Sequence, residues 1–211
     1  RGHPEVIQVG LGKSGTSTVL KYFTDRFSYN ASCGGLLPAA IQRAVDERAP
    51  ALAEARRTCP HFYISELARV YFPNESIQLQ LTNMRELRIA APHALFVHCE
   101  RTVPRWVSSV RRWNTLQARF TQRDLEGLPV GRGRTEKELS DWYEGVNNYL
   151  RLAFAYRPNY VRVDVDSPAS LRALENFCGT AAKPYNWVPI NVNPRKTLPN
   201  RSAAGRLLAD S

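Results

Sequence analysis

The chain has 211 residues, 43% of them hydrophobic and 23% charged, which suits a single globular domain with a sizeable core. Its 29 Lys and Arg against 19 Asp and Glu leave a formal net charge of +10, a balance that favours polyanionic partners such as acidic glycans or a phosphate-rich cofactor. No apolar stretch reaches about 18 residues, so nothing reads as a transmembrane helix. The basic residues are scattered, pairing as Arg-Arg only at Arg56-Arg57 and Arg111-Arg112, which excludes a nucleic-acid-type Lys/Arg run.

In chain order, Val6 to Gly10 is a short apolar run ending in glycine and reads as a buried strand. After a loop, Val19, Leu20 and Phe23 are spaced for the inward face of a helix. Residues 39–57 read as one Ala/Arg-rich surface helix, Phe62 to Ser65 as a second strand, and Ile77 to Ala90 as a helix. Ala94 to Cys99 is the clearest strand of the chain, and a helix opens near Pro104 and runs to Trp113, because proline is tolerated in a first turn. Residues 121–134, rich in Gly, Arg and charge, read as a mobile loop. Glu136 to Tyr156 is a long amphipathic helix, Tyr160 to Val163 a last strand, and Ser167-Pro168 opens a helix ending near Gly179. The tail beyond has no periodicity. Strands alternating with helices predict a parallel sheet covered on both faces, a three-layer α/β/α domain spanning 1–211. Ligands of such sheets bind at the carboxyl ends of the strands, which directs attention to the loop after Val9.

That loop reads Gly10-Leu11-Gly12-Lys13-Ser14-Gly15-Thr16-Ser17-Thr18 between a strand and a helix. Glycines let successive N–H groups turn towards an anion, the helix N-terminus adds positive dipole, and Lys13 adds a mobile charge. The hydroxyls of Ser14, Thr16, Ser17 and Thr18 exceed what helix capping requires. A nucleotide-kinase loop needs G-x-x-x-x-G-K-S/T, whose first glycine would fall at Ile7 inside the strand, so that spacing fails. The segment resembles the 5′-phosphosulfate loop of sulfotransferases that use 3′-phosphoadenosine-5′-phosphosulfate (PAPS), typically P/R-K-S/A-G-T/S-T/S. Lys13 to Ser17 match that pattern, while Gly12 departs from it. The resemblance implies a P-loop-like phosphate-binding loop in which Lys13, Ser14, Gly15, Thr16, Ser17 and Thr18 bind the cofactor.

The same family grips the 3′-phosphate with an Arg ending a central strand and a Ser eight residues later. Arg101 follows strand 94–99, and Ser109 lies eight beyond it, although Pro104 stands one residue later than in the usual Arg-x-Pro, so Ser108 could share the role. Heparan-type members carry a catalytic Glu in a pattern similar to E-K-S/T-x-x-Y-F/L. Here Glu66 and Tyr71-Phe72 fall in register, with Leu67 and Ala68 replacing the Lys and Ser/Thr, so Glu66 resembles the base. Cytosolic members use a His, for which His61, His93 and His98 are the candidates; His93 and His98 flank or lie within a strand and suit packing or capping. The late basic pair Arg195-Lys196 resembles the loop that closes the cofactor site.

The implied activity is sulfuryl transfer from PAPS to a hydroxyl or amine of a carbohydrate or small molecule, with adenosine-3′,5′-bisphosphate as product. Lys13 and Glu66 are its catalytic pair, no metal is required, and no nucleic acid is a partner. The alternatives are a nucleoside-triphosphate-dependent kinase and a non-catalytic phosphate- or glycan-binding module of the same fold. Cys33, Cys59, Cys99 and Cys178 include no CxxC, which excludes the usual zinc and thioredoxin spacings, and they are compatible with two disulfides or with four buried thiols. Sequons at Asn30, Asn74 and Asn200 lean towards a secretory compartment, such as the Golgi lumen, over the cytoplasm. The abrupt start at Arg1 suggests a trimmed catalytic domain.

Overall fold

The structure is a computed structural model that describes residues 5–29, 37–58, 63–64, 68–69, 76–113 and 115–188. It is a mixed α/β fold around a four-stranded parallel sheet. In chain order the elements are β1 (Val6–Gln8), α1 (Thr16–Phe27), α2 (Leu37–Asp46), α3 (Ala53–Thr58), β2 (Tyr63–Ile64), β3 (Ala68–Arg69) and β4 (Ile77–Gln78). They continue with α4 (Leu79–Thr82), α5 (Met84–Ala90), β5 (Leu95–Glu100), α6 (Val103–Arg112), α7 (Leu116–Thr121), α8 (Glu136–Ala153), β6 (Tyr160–Asp164) and α9 (Pro168–Phe177).

The parallel sheet has the order β2-β1-β5-β6, and β3 and β4 form a separate antiparallel pair. Register is set by Ile7 opposite Ile64 on one side and Phe96 on the other, and by Cys99 opposite Val163. The central strands β1 and β5 are short runs buried on both faces, and alternate side chains go to opposite layers. Ile7, Val9 and Phe96 join the buried side chains of α2, α3, α5, α6, α7 and α8. Val6, Val97, Cys99 and Val163 join those of α1 and α9 instead. From β1 the chain moves one way to β2, yet β5 lies on the other flank of β1 and leads on to β6. The order therefore reverses between β1 and β5, the place at which open α/β sheets form a ligand-binding crevice at the carboxyl ends of their strands.

Several elements differ from the sequence expectation. The helix expected over 39–57 is two helices, because Arg48 takes a left-handed φ of 57° and Pro50 follows. Nor is it a surface helix, since Leu37, Ala40 and Ile41 are buried. The helix expected from Ile77 begins as β4 and is interrupted at Asn83. Residues 121–134 are packed: Leu125 and Leu128 are buried and bridge each other, and Gln117 donates to the carbonyls of Gly133 and Arg134. Helix α7 was not foreseen. Helix α8 stops at Ala153, three residues early, where Phe154 turns inward and Tyr156 adopts a φ of 63°. Its start is held by a capping box between Thr135 and Glu138. Ser167 caps α9 as its sequence implies.

Candidate functional site at the β1–β5 crevice

Two glycines shape the β1–α1 loop. A Cβ on Gly10 would stand 2.2 Å from the carbonyl oxygen of Cys99, so only glycine lets β1 end this close to β5. Gly15 is the N-cap of α1 with a φ of 97°, and a Cβ there would meet Val165. No side chain caps α1, so the serines and threonines of this loop are not there as its N-cap. Lys13 also has a left-handed φ, 72°, and the N–H of Ser14 closes a turn onto the carbonyl of Leu11.

Arg101 leaves the end of β5 beside this loop, and its Nη1 reaches 3.5 Å from the carbonyl oxygen of Lys13. The two candidate segments, far apart in sequence, therefore meet at one sheet edge. Ser109 lies two turns further along α6 and is buried. Lys13 extends along α6, placing Nζ 3.3 Å from the centre of the Trp113 ring, a close cation–π contact.

Three aromatic residues that the sequence analysis did not single out hold the loop. Trp106 donates its indole N–H to the carbonyl of Gly12 at 2.9 Å and stacks on Tyr143 with ring centres 4.3 Å apart. The Tyr143 hydroxyl accepts from the N–H of Arg101 at 2.8 Å and lies 3.3 Å from Ser14 Oγ. Burial pushes the Tyr143 phenol up, so it stays a neutral hydrogen-bonding group. Trp106 and Trp113 stand seven residues apart on one face of α6, and that spacing is the signal that could have found them. A buried indole N–H or phenol needs a polar partner, and here the partners are the loop and the end of β5. The turn after β6 forms another wall. Val165 packs on Gly15, and Asp166 contacts both Arg101 and Arg105.

His98 and Glu100 point away from the crevice, towards α8. His98 is fully buried, donating from Nε2 to Asn147 Oδ1 at 2.9 Å and accepting at Nδ1 from the Tyr160 hydroxyl at 2.7 Å. Desolvation lowers it to about 4, so it is neutral and structural, as its place in a strand suggested. Burial alone would raise Glu100, but hydrogen bonds from Arg151 and Arg162 outweigh that and hold it below the ordinary carboxylate range. Glu100 is thus an ion-pair knot between β5, β6 and α8. Cys99 and Cys178 are free thiols, and burial pushes both up, leaving them unreactive.

A separate cleft of about 540 Å³ lies along α8, lined chiefly by Leu81, Leu128, Pro129, Trp142, Val146 and Tyr149. Among the described residues no group of His, Cys, Asp or Glu could hold a metal, and no helix is long and apolar enough to cross a membrane. Glu66, His61, Arg195, Lys196, Cys33, Cys59 and the asparagines of all three sequons lie outside the described residues. β2 ends two residues before Glu66 and runs parallel to β1, so its carboxyl end is at the same sheet edge as the loop. No protein-family model, curated protein or solved structure matches the chain.

Proposed function

We propose that this chain is a PAPS-dependent sulfotransferase, a three-layer α/β/α domain whose β1–α1 loop serves as a P-loop-like phosphate loop. One observation carries the reading. The backbone of Lys13, the glycine N-cap of α1 and the Arg101 guanidinium meet at the carboxyl ends of β1 and β5, where open α/β sheets bind nucleotides. The residues fit the group: an uncapped helix start and a lysine suit a 5′-phosphosulfate, and a guanidinium on the adjacent strand suits a second phosphate.

Bound PAPS would supply the sulfuryl group and leave as adenosine-3′,5′-bisphosphate. Gly15, Thr16 and Ser17 would offer backbone N–H and hydroxyl donors to the anion, while the buried Ser14 and Thr18, whose N–H groups bond the carbonyls of Leu11 and Gly15, shape the loop. Lys13, whose ammonium rests on the Trp113 ring, would leave that ring to bring its charge to the departing phosphate oxygen. Arg101 and Ser109, with Lys196 from the tail, hold the 3′-phosphate. Glu66 would take the proton of the acceptor hydroxyl or amine as that atom bonds to sulfur and the bond from sulfur to the leaving bisphosphate oxygen breaks. The acceptor is a glycan or a small molecule, and the three sequons favour the Golgi lumen as compartment.

Calorimetric titration with PAPS and ATP, followed by turnover of labelled PAPS over a panel of acceptors, tests this. PAPS should bind tighter than ATP and label at least one acceptor. Preference for ATP would replace the reading with a kinase. PAPS binding without turnover on any acceptor would leave a binding module.

A further inference from the structure

Arg101 and Arg105 stand four residues apart where β5 passes into α6, and both reach one carboxylate. Arg101 Nε is 3.3 Å from Asp166 Oδ2, and Arg105 Nη1 is 2.9 Å from Asp166 Oδ1. Two guanidiniums gripping the two oxygens of one anion is how proteins recognise phosphate, with the anion here supplied by the chain itself. The grip is incomplete. Arg101 Nε is buried yet makes no hydrogen bond, so Asp166 balances charge without satisfying all the donors of the pair. A tetrahedral oxyanion, with more acceptor oxygens than a carboxylate, would satisfy them better. Asp166 is carried by the turn between β6 and α9, next to Val165, whose side chain lies against Gly15. One short turn therefore covers both the loop and the arginine pair.

We propose that Arg105 joins Arg101 in binding a phosphate monoester dianion, and that Asp166 occupies the pair until that phosphate displaces it. The proposal rests on the reading above only in naming the monoester, the 3′-phosphate of the nucleotide. Arg105 is two-thirds exposed, with side-chain accessibility of 64%, so it can follow an incoming anion. With its 5′-phosphate held at the β1–α1 loop, a nucleotide that lacks the 3′-phosphate gains nothing from opening the gate.

The test uses the full chain and calorimetry with three probes: inorganic phosphate, adenosine-3′,5′-bisphosphate and adenosine-5′-monophosphate. Asp166→Asn keeps the side chain's size and removes its charge, while the backbone N–H of residue 166 still donates to Asp164. It should bind phosphate and the bisphosphate roughly tenfold tighter than the parent, the scale of one charged hydrogen bond, with the 5′-monophosphate unchanged. Adding Arg105→Gln should abolish the gain. The proposal is overturned if Asp166→Asn binds phosphate and bisphosphate no tighter, or if the gain survives Arg105→Gln. Tighter phosphate binding with neither nucleotide bound would keep the gate and remove the sulfotransferase reading. Tight bisphosphate binding by the parent that Asp166→Asn does not alter would keep that reading and remove the gate.

Discussion

Replacing Gly15 by alanine perturbs the loop through two effects that the structure separates. Its φ of 97° is left-handed, a conformation that costs an L-residue about 1–2 kcal/mol. The new Cβ would also come within 2.3 Å and 2.6 Å of the two methyls of Val165 and 2.9 Å of its Cβ. Rotation of the valine cannot clear both methyls, and overpacking of this kind adds about 1–3 kcal/mol. Gly15→Ala should therefore lose about 2–5 kcal/mol, a large part of the stability of a typical domain. Urea unfolding read by circular dichroism measures it as a lower midpoint at unchanged slope. Val165→Ala removes the methyls, so the double variant should recover about 1–2 kcal/mol relative to the sum of the singles, while the backbone penalty remains. A Gly15→Ala loss below about 0.5 kcal/mol, or strict additivity in the pair, would refute the close approach of the β6–α9 turn to the loop.

Lys13→Ala should leave the fold intact and reduce turnover of labelled PAPS by about 10² to 10³, the usual loss of one preorganised charge. Near-parental activity in the purified variant would remove the loop from the mechanism. The second outcome concerns pH. His98 lies near 4 in the folded chain and near 6.5 unfolded, so between these values the unfolded chain binds more protons. Stability is then complete above about pH 6.5 and is lost as pH falls towards 4, by roughly 3 kcal/mol for this one group. Urea midpoints measured from pH 7 to 4 should fall in that window, and His98→Gln should flatten the decline. An equally steep decline in His98→Gln would assign it to other groups.

Some of this architecture was legible because local chemistry and tertiary structure agree. The apolar run at 95–99 forms β5, and Pro104 and Ser167-Pro168 mark helix starts because a missing N–H and a capping hydroxyl act within a few residues. Lys13 and Arg101 could be singled out as candidates for the same reason: a glycine-rich strand-to-helix loop and a strand-end arginine are visible in short segments. Other features had no local signature. A left-handed Arg48 splits α2 from α3, although nothing in an arginine announces that conformation. The Gly- and Arg-rich stretch after α7 looks mobile by composition but is pinned by Leu125 and Leu128 under Trp142 and by the carbonyls that Gln117 holds.

Local chemistry along the chain was enough to place β1, β5, β6 and most helix starts, the glycines of the β1–α1 loop, and Lys13 and Arg101 as candidate anion contacts. These follow from backbone sterics and from periodicities that act over a few residues. Long-range packing made β1 and β5 neighbours, which brings the Lys13 backbone and Arg101 together across 88 residues of chain. It also decided that Tyr143, Trp106 and Trp113 brace the loop, and that Asp166 sits across two arginines. Such contacts depend on which strands pair and which helix faces pack, and pairing is chosen by burial over the whole core, not by any one segment.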